Sequence, residues 1–185
     1  MKIAITGGIG SGKSYVCRLL TSKGINIYDC DSAAKRLMRT SPIIRQQLTD
    51  LIGSEVYDTD GHLNKAEVAR FLLASEDNKR AIDAIVHPAV AKDFLQSGMQ
   101  WMECAILYES GFDHLVDCVI AVTAPTELRI QRIMQRDHIS REDAIAWIDK
   151  QWPQTELQKR ANFEIINDGR ALEPQIEHII NQIKE

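Results

Sequence analysis

One octapeptide restricts what this chain can fold into more than any other feature. Residues Gly7-Gly8-Ile9-Gly10-Ser11-Gly12-Lys13-Ser14 satisfy the spacing G-x-x-x-x-G-K-[ST]. They follow a short apolar run, Lys2-Ile3-Ala4-Ile5-Thr6, and precede Val16, Leu19 and Leu20 at helical spacing, with Gly24 as a stop. The motif carries chemistry only between a strand and a helix, which is where it stands. Glycines let the backbone wrap an anion and adopt positive φ. The amide N–H groups then converge as donors, and the helix N-terminus adds partial positive charge. Lys13 suits the β- and γ-phosphates of a nucleotide, and the Ser14 hydroxyl suits Mg2+. Gly8, Ile9, Gly10, Ser11, Gly12, Lys13, Ser14 and Tyr15 are therefore candidate nucleotide ligands. Tyr15 carries a bulky phenol, so only its backbone amide is expected to take part.

The rest of the chain supplies the frame. Residues 25–28, 103–107, 118–122 and 163–166 read as further strands, and 103–107 and 118–122 are short and apolar without alternation, as in a sheet covered on both faces. Between the second and third of the five strands, residues from Pro42 to about Gln100 show helix after helix. Asn64 and Ser75 look like N-caps, and Pro88 is expected to interrupt the helical pattern at His87. Helices are also expected over Thr126 to Arg136, from Ser140 through Trp147, and from Leu172 to Lys184. Strands alternating with helices imply an α/β fold, a five-stranded parallel sheet in a three-layer sandwich. A single domain is expected, with its core at about residues 1–40 and 101–185. The helical insertion covers about 41–100 and a helical lid about 136–155.

Composition narrows the function classes. Lysines and arginines number 22 against 26 aspartates and glutamates, a net charge of −4, and no basic run argues for a nucleic-acid partner. No segment has the length of a membrane span. The N-terminus lacks the apolar region and cleavage site of a secretory leader, so Met1 is expected to begin the working fold. Cys17, Cys30, Cys104 and Cys118 form no C-x-x-C pair and read as reduced, buried thiols, which suits a cytoplasmic protein. A monomer is expected, with a homo-oligomer left open.

Several side chains could complete a phosphoryl-transfer site. Asp29 and Asp31 fall where the second strand ends, and open parallel sheets bind ligands beyond the carboxyl ends of their strands. Transfer to an alcohol needs a group that takes the hydroxyl proton. Asp31 is the candidate, with an N-cap as its structural alternative. Lys35 and Arg36 follow one turn later and suit an anionic acceptor. Glu109, after the third strand, could hold Mg2+ through water or be a solvated loop residue. Arg129, Arg132, Arg136 and Arg141 could meet transition-state charge from a lid, or form a solvated basic face. Arg136 is the candidate among them.

The ordered set of segments resembles the dephospho-CoA kinase family. The opening from Ile5 to Ser14, Asp29-Cys30-Asp31, His87-Pro88, Leu107-Tyr108-Glu109 and Arg132-Ile133-Met134-Gln135-Arg136-Asp137 match that family's motifs in order, with Gln151 and the Asn167-x-Gly169 turn. The resemblance implies ATP-dependent phosphorylation of the ribose 3′-hydroxyl of dephospho-CoA, with Mg2+. It implies Asp31 as base, Lys13 and Arg136 in catalysis, and Asn167 at the nucleotide. Asp31, Lys35, His87 and Glu109 would lie at the acceptor, which the helical insertion helps to hold. Lys35 departs from a frequent arginine and lacks its planar fork. Nucleoside monophosphate kinases and shikimate kinases share the loop and are the near alternatives. A nucleotide-dependent switch protein is the distant one, for which no switch loop is evident.

Overall fold

The computed structural model describes residues 1–184. Along the chain run β1 (Ile3–Thr6), α1 (Lys13–Ser22), β2 (Ile27–Asp29), α2 (Cys30–Thr40), α3 (Pro42–Ile52), α4 (Lys65–Ala74) and α5 (Glu76–Ser97). Then come β3 (Trp101–Glu103), β4 (Cys118–Thr123), α6 (Thr126–Asp137), α7 (Arg141–Asp149), α8 (Gln154–Arg160), β5 (Phe163–Ile166) and α9 (Glu173–Lys184). The five strands form one parallel sheet in the order β2-β3-β1-β4-β5. β1 is central, with Ile5 opposite Glu103 on one side and Ile120 on the other. Every residue of β1 and β4 is buried, which explains why neither strand alternates. Val16, Cys17 and Leu20 of α1 and Ile176 and Ile179 of α9 pack with Ile3, Ile5, Ile120, Val122 and Ile165. Each such fully buried aliphatic side chain contributes about 1.5–3 kcal/mol.

The chain divides into two compact units, Met1–Tyr28 with Met99–Glu185, and Asp29–Gly98. The helical unit therefore begins at the end of β2 rather than near residue 41, and α2, which carries Asp31 and Lys35, belongs to it. Its spine is α5, whose buried face is Ile82, Val86, Val90 and Phe94 at four-residue spacing. α2, α3 and α4 pack on that helix.

Two expectations change. The apolar stretch 103–107 is not the third strand: β3 is Trp101–Glu103, and the chain turns from Cys104 onward. Leu107 stays fully buried in that turn, while the amide of Ser110 donates to Ile106 O at 2.8 Å and that of Phe112 to Leu107 O at 2.9 Å. Burial, not extension, is what the apolar run encoded. Pro88 does not end a helix either; it sits inside α5. A mid-helix proline removes a hydrogen bond and costs roughly 3 kcal/mol. The apolar face that continues through Val90 and Phe94 outweighs it. The N-caps at Asn64 and Ser75 form as expected, accepting from the amides of Glu67 at 3.4 Å and Asn78 at 3.1 Å.

Candidate nucleotide site

β1 ends at Thr6 and α1 begins at Lys13, so residues 7–12 form the loop between them. Gly10 and Gly12 have φ of 78° and 89°, a region that side-chain-bearing residues avoid. Space forbids substitution as well. A Cβ on Gly12 would lie 2.0 Å from Asn167 Nδ2, and one on Gly10 would lie 2.7 Å from Arg129 O. Side chains at these points would collide with the residues that brace the loop.

What turns the loop's amides toward a ligand is the capture of its carbonyls from outside. Arg129 Nε donates to Ile9 O at 2.9 Å. Arg132 Nη1 donates to Gly10 O at 3.2 Å and Ser11 O at 3.3 Å. Asn167 Nδ2 donates to Ser11 O at 2.9 Å and accepts from Arg132 Nη2 on its Oδ1 at 3.1 Å. Gln151 Oε1 takes the amide of Ile9 at 2.7 Å. Carbonyl oxygens held outward cannot oppose an anion held within. Ser11 and Asn167, both buried, are engaged in this scaffold.

The cleft in front of the loop has a volume of about 480 Å³. Gly8, Ile9, Gly10, Gly12, Lys13, Ser14, Tyr15 and Arg136 all line it, joined by Arg18, Arg132 and Gln151. Lys13 Nζ is paired with Glu103 Oε1, and Ser14 Oγ donates to the same oxygen at 3.0 Å. Glu103 ends β3 beside Ile5, so the sheet register delivers a carboxylate to the start of α1. One hydroxyl and one carboxylate form an all-oxygen donor pair suited to Mg2+, which keeps much of its water shell.

Arg136 is exposed and bound to Asp137, its Nη2 2.7 Å from Oδ2. That hydrogen bond raises the Arg136 pKa and holds the Asp137 carboxyl below its usual range. Arg129 and Arg132 do not belong to a mobile basic face, since both clasp the loop. Arg141 reaches back to Glu127 with two bonds of 2.9 and 2.7 Å. Within the expected lid region, α7 packs its Ala144 and Ile148 with Ile130 and Ile133 of α6 and with Ile9 of the loop.

The acceptor candidates lie elsewhere in the chain. Asp29, not Asp31, is the N-cap of α2: its side chain accepts from the amides of Asp31 at 3.0 Å and Ser32 at 3.1 Å. The capping alternative for Asp31 is thereby removed. Asp31 stands in the first turn, three-quarters exposed, and pairs with Lys35 one turn on. His87 lies on α5 with Nε2 3.5 Å from Asp83 Oδ1. Glu109 is exposed in the turn after β3. The carboxylate that meets Lys13 and Ser14 is Glu103 instead. Placing the third strand two residues late made Glu103 its first residue rather than its last and hid this role. Arg132 and Arg129 were visible only as members of a charge cluster, because their partners are loop carbonyls that leave no sequence signature.

Comparison with known proteins shows the family and the fold. The family model for dephospho-CoA kinase matches residues 1–173. A dephospho-CoA kinase of Bacteroides fragilis is 44% identical over 188 residues, covering 97% of this chain and 91% of the relative. One from Porphyromonas gingivalis is 42% identical over 190 residues, covering 98% and 94%. Among solved structures, a Thermus thermophilus protein superposes with a TM-score of 0.84 at 30% identity, covering 99% of this chain and 97% of its own. A shikimate kinase from Acinetobacter baumannii, at 17% identity and a TM-score of 0.57 over 98% and 92%, shares the fold alone. The chain belongs to the dephospho-CoA kinase family.

Proposed function

We propose that this chain transfers the γ-phosphate of ATP to the ribose 3′-hydroxyl of dephospho-CoA, giving coenzyme A and ADP, the last step of coenzyme A synthesis. The observation that carries the reading is the convergence of Lys13 and Ser14 on Glu103 beside a cradle whose carbonyls are tied outward, in a chain of this family. Before ATP enters, Glu103 holds the Lys13 ammonium at the front of the cradle. On binding, Lys13 turns to the β- and γ-phosphate oxygens, while amides of the Gly8–Tyr15 stretch other than that of Ile9, which Gln151 takes, donate to the phosphates. Ser14 and Glu103 would hold Mg2+, which supplies neutralisation of charge on the β- and γ-phosphates.

Asp31 accepts the proton of the 3′-hydroxyl as the oxygen attacks the γ-phosphorus. Its exposure and its place in the first turn of α2, free of capping duty, support this role. Lys35, paired with Asp31, is suited to an acceptor phosphate, and His87 and Glu109 to acceptor contacts. Arg136 meets the charge that develops on the transferred group. The reading places the protein in the cytoplasm, as a monomer with a homo-oligomer as the alternative. Separately, the described residues contain no helix long and apolar enough to cross a membrane.

The test is acceptor-dependent ADP release from Mg-ATP. Rapid release with dephospho-CoA and slow release with AMP, shikimate or water is expected; equal rates with all four would sink the assignment. Asp31→Asn should lower kcat by about 100-fold or more while ATP still binds. A near-normal rate in that variant would remove Asp31 from the chemistry.

A further inference from the structure

Arg129 is a buried cation without a counter-ion. Its residue is 4% exposed, and among the described residues no carboxylate lies within ion-pair distance of it. Among the described residues its side chain makes one hydrogen bond, from Nε to Ile9 O at 2.9 Å, and that is to a neutral carbonyl. Its guanidinium presses on the back of the phosphate loop: a Cβ on Gly8 would stand 2.5 Å from Arg129 Nη2 and 3.2 Å from Gln151 Oε1. Burial alone perturbs the group, downward, with no neighbouring charge to offset it. A guanidinium nevertheless stays protonated at neutral pH. Burying such a charge unpaired is unfavourable, so the free protein retains an uncompensated positive charge behind Gly8 and Gly10.

We propose that Arg129 is a positioning residue for the phosphoryl donor: its uncompensated buried charge, acting through the Gly8–Gly10 loop, is balanced by the triphosphate and sets affinity for it. This rests on the proposed reading of the site as an ATP site. Gly8, Ile9 and Gly10 line the cleft and Arg129 is not among its lining residues, so the charge acts through that stretch of loop. Its effect is therefore on binding of the polyanion rather than on the acceptor. Because the charge is buried, salt screens it weakly.

Three variants read this out against inorganic triphosphate, ATP and adenosine, with binding followed by calorimetry. Arg129→Gln keeps an N–H donor for Ile9 O and loses the charge. Arg129→Lys keeps the charge and loses the planar fork. Arg136→Met is the exposed control. Arg129→Gln is expected to bind triphosphate and ATP at least about tenfold more weakly, about 1.4 kcal/mol, with adenosine binding unchanged. Arg129→Lys should stay within about threefold of the wild type. The deficit of Arg129→Gln should persist from low to high salt, whereas that of Arg136→Met should shrink. The idea is overturned if Arg129→Gln binds triphosphate like the wild type, or if Arg129→Lys loses as much as Arg129→Gln. It is also overturned if the only effect is a lower melting temperature with unchanged affinity of the folded fraction. Should Arg129→Gln fail to fold, the affinity of Arg129→Lys decides alone. A wild-type protein that bound no triphosphate would instead defeat the ATP reading itself.

Discussion

The phosphate loop and the first turn of α2 both carry charged groups of the proposed reaction, yet they are held in opposite ways. Around the loop, partners come from far along the chain. Lys13 meets Glu103 across 90 residues, Ile9 meets Gln151 across 142, and Asn167 meets Ser11 across 156. These contacts are buried or half-buried. In the helical unit, Asp31 pairs with Lys35 and His87 stands by Asp83, each one helical turn away, and Asp31 and Lys35 are largely exposed. A group held by distant, buried partners is set before its ligand arrives. A group held by a neighbour on its own exposed helix face can reorient at little cost, because an exposed pair of this kind contributes at most about 1 kcal/mol. The contrast teaches that the proposed donor side is held by distant partners before any ligand arrives, while the proposed acceptor side rests on pairs one helical turn apart.

The contrast can be broken most forcefully at Lys13. Lys13→Ala should reduce kcat/KM for dephospho-CoA by at least about a thousandfold, as loss of a charge aimed at transferring oxygens does. Steady-state kinetics with unchanged rate and ATP affinity would show that the lysine serves only Glu103. Next comes the scaffold. Asn167→Ala removes two hydrogen bonds, one to Ser11 O and one from Arg132 Nη2, so it should lower stability by about 1–3 kcal/mol and weaken ATP binding. Denaturant unfolding and ATP titration check both, and a loss of stability with intact ATP affinity would separate the scaffold from the ligand. On the acceptor side, Lys35→Met should leave stability within about 0.5 kcal/mol while raising KM for dephospho-CoA. A stability loss as large as that of Asn167→Ala would erase the contrast.

The smallest effect concerns α7. The Glu127 carboxyl is held below its ordinary value chiefly by the hydrogen bonds from Arg141. A lowered folded-state value means that the pair stabilises above the unfolded carboxylate range and loses this as pH falls through the folded value. Arg141→Met should therefore melt slightly below the wild type at neutral pH, and the difference should close in acid. A gap that stayed constant into acid would show that packing, not the pair, tethers the helix.

The order of elements was legible because apolar runs, caps and the glycine motif are local signals. β1, α1, β5 and the caps at Asn64 and Ser75 could be read directly. The position of β3 could not, because Cys104 and Leu107 are buried in a turn and burial in a turn looks like burial in a strand. The continuity of α5 through Pro88 was equally hidden, since packing overrode a local preference. Within the site, the loop announced itself, but its supports at Arg132, Arg129 and Glu103 did not. Each meets a backbone carbonyl or another side chain brought near by sheet order, and sheet order is a property of the whole chain.

The central place of β1 has a consequence for the order in which the protein can become competent. The phosphate motif precedes every one of its supports along the chain, so it waits on residues made after it. Its flanking strands arrive at Trp101 and Cys118, and its anchors at Arg129, Arg132, Gln151 and finally Asn167. Contacts of such sequence separation form slowly, because long loops must close first. A nascent chain therefore carries its glycines and Lys13 as an unsupported loop until residues more than a hundred positions downstream have been made, and the last of the supports named above is the bond from Asn167 to Ser11 O.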